Sequence, residues 1–257
     1  MDNVLTMAIK LKSSDTLLEG VSMTQVSKIV PEEIQIALKE GRKILLEHEA
    51  KNLVSKYGIP VTKIQVARNE EEAVKIAEKI GFPVVLKIVS QDIVHKSDVG
   101  GVLVGVKNKE EVRAGFRKIM ENVKKNKPDA KIEGIAVQEY APKGVEVIIG
   151  LIRDPQFGPT VMFGLGGIFV EIFKDVSFRI APLTERDADE MIREIKGYPL
   201  LSGYRGSEPV DINSLKRALI AVGEMGLEID EIAEMDLNPV MAYPNGIKVV
   251  DARILLR

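Results

Sequence analysis

The chain has 257 residues, 45% of them hydrophobic, which is enough for a core in one large unit or in two small lobes sharing a cleft. Its 36 basic and 38 acidic residues interleave without a long block of one sign, so no nucleic-acid footprint stands out. With no cysteine, a disulfide framework, a thiolate metal site and a cysteine nucleophile are excluded. No apolar run approaches the roughly 18 residues of a membrane span, and the first 20 residues lack a basic start followed by an apolar stretch, so the expected location is cytoplasmic.

Residues 1–30 are polar with no clear period and read as a short, poorly ordered leader. Pro31 then opens a helical pattern at a permitted first-turn position. From Leu46, the apolar Ala50, Leu53, Val54 and Tyr57 recur at helical spacing, and Gly58 with Pro60 closes that helix. Residues 61–66 read as a strand. Asn69 with Glu72 makes a capping-box-like start for a helix with Ala73, Ile76, Ala77 and Ile80 on one face. Residues 84–90, VVLKIVS, have a buried-strand pattern, and 100–106, GGVLVGV, read as another strand. Asn108 and Glu111 cap a helix carrying Val112, Phe116, Ile119, Met120 and Val123.

Two strands, 132–139 and 145–152, flank a Pro142-Lys143-Gly144 turn and read as a hairpin. Apolar runs at 160–164 and 169–173 surround Gly164-Leu165-Gly166-Gly167, and helices capped near Thr184 and Asp211 follow. A last hairpin turns at Pro244-Asn245-Gly246. The expected lobes are 31–128 and 129–257, with the boundary inside ordinary sequence because no low-complexity linker marks it.

Lys87 interrupts the apolar run from Val84 to Val89, and a lysine there must either snorkel to water or meet an anion. The segment His95-Lys96-Ser97-Asp98-Val99-Gly100-Gly101 joins two strands, and its paired glycines let backbone N–H groups approach a phosphate or simply make a turn. It is neither a Walker motif nor a dinucleotide fingerprint. His48, between Glu47 and Glu49, reads as part of a solvated face. His95, with a reference pKa of about 6.5, is either a neutral nucleophile or a loop histidine with a structural hydrogen bond. Gln138-Glu139-Tyr140 reads as a surface hairpin or as a backbone strip able to meet adenine edge-on, with Glu146 set for ribose hydroxyls. Asp236, Asn238 and Asp251 put oxygen ligands suited to Mg²⁺ on two strands that should pair, although Asp and Asn beside Pro are also ordinary turn chemistry.

Taken in order, VVLKIVS, HKSDVGGV, Gln138-Glu139, DPQFGP (154–159), GLGG (164–167), Gly203-Tyr204-Arg205-Gly206 and DLNPV (236–240) resemble the ATP-grasp domain of ADP-forming acyl-CoA synthetases over roughly residues 40–257. The length is similar to the separate beta subunit of archaeal acetyl-CoA synthetases of this kind. The resemblance implies an α+β ATP-grasp fold of two lobes clamping a nucleotide. It implies the conversion of acyl-CoA, ADP and phosphate to acid, CoA and ATP through acyl phosphate and phosphohistidine. ATP or ADP and Mg²⁺ would be bound, with an alpha subunit that carries CoA and the acyl group in an α2β2 heterotetramer.

By position the resemblance makes His95 a phosphorylated relay histidine, Lys87 a phosphate-binding lysine, and Gln138, Glu139 and Tyr140 the adenine strip. It makes Asn238 and Asp251 metal ligands and Asp236 the acid near the incoming phosphohistidine. Lys96, Gly100, Gly101 and Glu146 complete the expected nucleotide contacts. Two alternatives are a regulatory nucleotide sensor and a stand-alone ATP-grasp ligase. Retention of His95, Asp236, Asn238 and Asp251 speaks against the first, and the absence of an acceptor domain in this sequence against the second.

Overall fold

The computed structural model describes residues 30–93, 95–167 and 174–257. The leader and the run at 169–173 lie outside them. Helix α1 (Glu32–Lys39) and helix α2 (Glu47–Lys56) come first, followed by β1 (Ile64–Ala67), α3 (Glu70–Ile80), β2 (Val84–Ser90), β3 (Val102–Val106), α4 (Lys109–Asn126) and β4 (Ile132–Glu139). Strands β1 to β4 form a four-stranded antiparallel sheet in the order β1-β4-β2-β3. The Asn69 and Asn108 side chains accept from the N–H of Glu72 and Glu111, so both expected caps form.

Alternation along β2 divides its residues between two environments. Val84, Leu86 and Ile88 join Val112, Phe116 and Ile119 of α4 in one core, while Val89 and Ala136 meet Leu46 at the start of α2 on the opposite face. Lys87 shares that second face, and this decides what it touches.

The rest of the chain continues through β5 (Val145–Asp154), β6 (Gly158–Leu165), β7 (Val176–Ile180), α5 (Glu185–Glu194), α6 (Tyr198–Leu201), α7 (Ile212–Glu228), β8 (Ile232–Tyr243), β9 (Gly246–Val249) and β10 (Ala252–Leu256). Its sheet runs β10-β8-β5-β6-β7, with β9 paired to the later half of β8 through the expected Pro244-Asn245-Gly246 turn. The Thr184 and Asp211 side chains cap α5 and α7 as expected.

Two expectations are corrected by the pairing. Strands β4 and β5 do not form a hairpin: β4 pairs with β1 and β2, whereas β5 pairs with β6 and β8. The sheets therefore separate in the 140–144 segment and not near residue 128. The segment before β1 also belongs elsewhere, because Ile34, Ala37, Leu53, Val54 and Ile59 are buried in the core of the second sheet. Each such Ile, Leu or Val contributes about 1.5–3 kcal/mol on burial, which anchors α1 and α2 there. Backbone bonds reinforce the attachment, from Leu45 N to Ile254 O at 3.0 Å and from Thr62 N to Val249 O at 2.9 Å.

Candidate functional site

Helix α2 is held by its first turn. Glu49 accepts from the Leu46 N–H at 2.8 Å and is itself gripped by both terminal nitrogens of the buried Arg42, at 2.7 and 2.8 Å. This fixes the preceding residue pair, Glu47 and His48, against the inner face of the first sheet. His48 is half-buried, with Nδ1 enclosed and without a partner among the described residues, and burial pushes its imidazole below the ordinary histidine value despite Glu49 and Glu133. The solvated face expected for 47–49 is therefore corrected: the first sheet covers it.

Glu47 is the centre of this arrangement. Its side chain is only 7% exposed, and three ammonium groups converge on it. Lys87 Nζ donates to Oε1 at 2.6 Å, Lys96 Nζ to Oε2 at 2.6 Å, and Lys51 Nζ to Oε1 at 3.0 Å. Burial alone would raise the Glu47 pKa, but the charges of Lys87, Lys51 and Lys96 outweigh it and hold the carboxyl well below the usual range. Lys87, by pattern a lysine that must snorkel or meet an anion, meets an anion supplied by the protein.

Lys51 is fully buried and also donates to Thr62 Oγ1 at 2.9 Å and to Gln138 Oε1 at 2.6 Å. Burial pulls its pKa down to about 8, only partly opposed by Glu47. Neither Glu47 nor Lys51 was singled out by sequence. The available signal was their i,i+4 spacing beside the apolar Ala50, Leu53 and Val54, which puts a charge pair on the edge of a buried face.

The opposite wall of the cleft comes from the second sheet. Asp236 and Asn238 alternate with the buried Leu237 on β8, and Asp251 lies just before β10, where its carbonyl accepts from the Asn238 N–H at 3.1 Å. The expected pairing of these two segments thus forms. Asp251 Oδ2 is 3.7 Å from Lys87 Nζ. A recess of about 200 Å³ brings Glu47, Lys96, Asp236, Asn238 and Asp251 together, and an adjoining one of about 310 Å³ contains Lys87, His95, Lys96, Asp98 and Asp251. Asp98 and not Asp236 shares the recess of His95.

Burial, then the charge of Asp251, raises the Asp236 pKa; burial, then the charge of Glu47, raises that of Asp251. Folded-state values above the unfolded ones mean that ionisation of this pair costs stability at neutral pH. That cost disappears as pH falls toward the ordinary carboxylate range. Asp236→Asn is accordingly expected to raise the melting temperature of the ligand-free protein at pH 7 slightly and to flatten its rise as the pH falls toward the ordinary carboxylate range, as read by calorimetry.

The loop between β2 and β3 closes on itself. Gly100 N donates to Ser97 O at 3.0 Å and Gly101 N to Lys96 O at 2.8 Å, while the Asn122 amide holds Gly100 O at 3.1 Å. Both glycine N–H groups are thus engaged inside the loop. The glycines answer a need for space: Gly100 has φ +66°, and a Cβ on Gly101 would lie 2.6 Å from Ile88 Cγ2. Gly101→Ala is expected to destabilise the protein by about 1–3 kcal/mol in urea unfolding, through overpacking of a closed turn. His95 itself is exposed at the start of this loop.

The strip at the end of β4 is partly engaged. Besides Lys51, Gln138 meets Val250 O at 3.2 Å, and Glu139 accepts from Lys248 Nζ at 2.7 Å while its N–H donates to Lys63 O at 2.8 Å. Glu146 is exposed on β5, and its carbonyl accepts from Gly166 N at 2.7 Å, where the approach leaves no room for a side chain on Gly166. Tyr140, Glu146 and the turn at 203–206 line neither recess.

Among the described residues no group of three or more His, Cys, Asp or Glu can hold a metal ion by itself. One carboxylate and one amide oxygen, Asp251 and Asn238, beside a cation-lined recess form a donor set that suits Mg²⁺ completed by phosphate oxygens. Among the described residues there is also no helix long and apolar enough to cross a membrane.

Comparison with known proteins agrees with this fold. An ATP-grasp domain model matches residues 36–256. The beta subunit of the ADP-forming acetate–CoA ligase I of Pyrococcus furiosus is 56% identical over 234 residues, which cover 91% of this chain and all of that one. Among solved structures, an acetyl-coenzyme A synthetase 1 of Ca. Korarchaeum cryptofilum, in complex with coenzyme A and Ca-AMPCP, superposes with a TM-score of 0.85 at 67% identity, covering 87% of this chain and 98% of that one. Another form of that enzyme, with coenzyme A and Mg-AMPPCP and a phosphohistidine segment pointing towards the nucleotide site, gives a TM-score of 0.80 at 62% identity over 88% of this chain and 99% of that one. The chain belongs to the ATP-grasp family, among the beta subunits of ADP-forming acetyl-CoA synthetases.

Proposed function

We propose that this chain is the nucleotide-binding beta subunit of an ADP-forming acyl-CoA synthetase, which works with an alpha subunit to convert acyl-CoA, ADP and phosphate into acid, CoA and ATP. The observation that carries this reading is the convergence of Lys87, Lys96, Asp236, Asn238 and Asp251 on one cleft beneath the exposed His95.

In the partner, phosphate displaces CoA from the acyl group and the resulting acyl phosphate gives its phosphoryl group to a histidine. A ring nitrogen of His95 then attacks that phosphorus as the bond to the donor histidine breaks. An oxygen of the ADP β-phosphate next attacks the phosphorus on His95, forming ATP and returning a neutral imidazole. Phosphoryl transfer places charge on the moving oxygens, and the ammonium groups of Lys87 and Lys96 stand where they neutralise it. Asp251 and Asn238 would hold Mg²⁺, which would supply further positive charge for that neutralisation. Asp98 shares the recess and orients the imidazole, while Gln138 to Tyr140 and Glu146 receive adenine and ribose. An α2β2 assembly and a cytoplasmic location complete the reading.

The test is an ADP- and phosphate-dependent acyl-CoA cleavage assay with and without the candidate alpha subunit. Activity only with both chains is expected; amide or acyl-phosphate synthesis by this chain alone would replace the reading with a stand-alone ligase.

A further inference from the structure

Glu47 has a place in this site that the reaction above does not use. Its carboxylate lies where ammonium groups from three elements meet: α2, β2 and the loop that carries His95. Counting Asp251, 3.7 Å from Lys87, three cations meet two carboxylates, and the balance turns positive toward a phosphate once Lys87 and Lys96 leave Glu47. The three bonds differ in kind. Lys51 is fully buried, and Thr62 and Gln138 also hold it, so it cannot leave Glu47 without unfolding its surroundings. Lys87 and Lys96 reach Glu47 from the recess that also contains His95, and the Lys96 side chain remains 22% exposed.

We infer that Glu47 is a positioning residue that serves as a resident counter-anion, holding Lys87 and Lys96 in the ligand-free site until a phosphate oxyanion takes them from it. This rests on the proposed nucleotide-binding function. Lys51 makes the exchange feasible, because Glu47 keeps a buried cationic partner after the other two transfer, and no unpaired buried charge results. Since Lys96 follows His95 directly, the same exchange releases the His95 loop from α2. Competition with Glu47 also lowers nucleotide affinity, which favours release of product ATP.

The experiment is isothermal titration calorimetry of the full chain with ADP and Mg²⁺, comparing the native protein with Glu47→Gln and Glu47→Asp. The amide keeps the shape and removes the competing charge, and the shorter carboxylate weakens the grip on Lys87 and Lys96. ADP affinity is expected to rise about tenfold in Glu47→Gln and about threefold in Glu47→Asp. In the complete synthetase, KM for ADP and kcat should both fall in these variants. The ligand-free variants should melt lower than the native chain, yet gain more from saturating ADP. A residue with a purely structural role would lose both stability and affinity.

Unchanged or weaker ADP binding in a folded variant, with native binding intact, would overturn the displacement alone. If Glu47→Gln does not fold, the Glu47→Asp titration decides on the same criterion. Absence of ADP binding by the native chain would overturn the nucleotide reading, and this inference with it.

Discussion

Alanine in place of His95 is expected to lower acyl-CoA-dependent ATP synthesis by at least about 10³-fold, equivalent to more than about 4 kcal/mol of transition-state stabilisation. The expected loss is large because the histidine forms and breaks the bond to phosphorus and is not one contact among many. Its effect on folding should be small, within about 0.5 kcal/mol, since the side chain is exposed and its removal opens no cavity. The two halves of the prediction separate a chemical role from a structural one. Incubation of the native chain with radioactive ATP should give acid-labile, base-stable label that His95→Ala abolishes. Label persisting at another residue in that variant would move the relay elsewhere.

The second large effect falls on stability. Lys51→Ala is expected to cost about 2–4 kcal/mol in urea unfolding, because it empties space in a buried junction and strips Thr62 Oγ1 and Gln138 Oε1 of their shared donor. Glu47 keeps Lys87 and Lys96, so the loss stays below that of an orphaned buried charge. Lys51→Met, which keeps most of the volume, should recover part of it. If alanine costs under about 0.5 kcal/mol, the three hydrogen bonds are not a stabilising junction.

Features decided by nearby residues were legible in the sequence. The asparagine caps at 69 and 108, the Thr184 and Asp211 caps and the Pro244-Asn245-Gly246 turn each depend on atoms within a few residues. Lys87 was also legible, since one charge in a seven-residue buried strand demands a partner.

What escaped was decided at long range. The Pro142-Lys143-Gly144 segment looks like a hairpin turn, but the partners of the flanking strands are β1 and β2 on one side and β6 and β8 on the other. Glu47 and His48 look solvated because their burial comes from Lys87, forty residues later, and from the strand that carries it. The Gly100-Gly101 pair shows the converse: glycines needed to close a turn against Ile88 and Asn122 look the same in sequence as glycines needed to admit a ligand.

The attachment of α1 and α2 to the second sheet has a topological consequence. The described residues from 30 onward start in that core, leave it at Lys63 and return after Glu139, and these two residues face each other: Glu139 N donates to Lys63 O at 2.8 Å, and Lys63 N to Glu139 Oε2 at 3.0 Å. The four-stranded sheet is therefore a module inserted into a host, entering and leaving through one narrow neck. Lys87, Lys96 and His95 thus belong to the inserted module, whereas Glu47 and the aspartates they face belong to the host, so the cleft is built from both sides of one insertion.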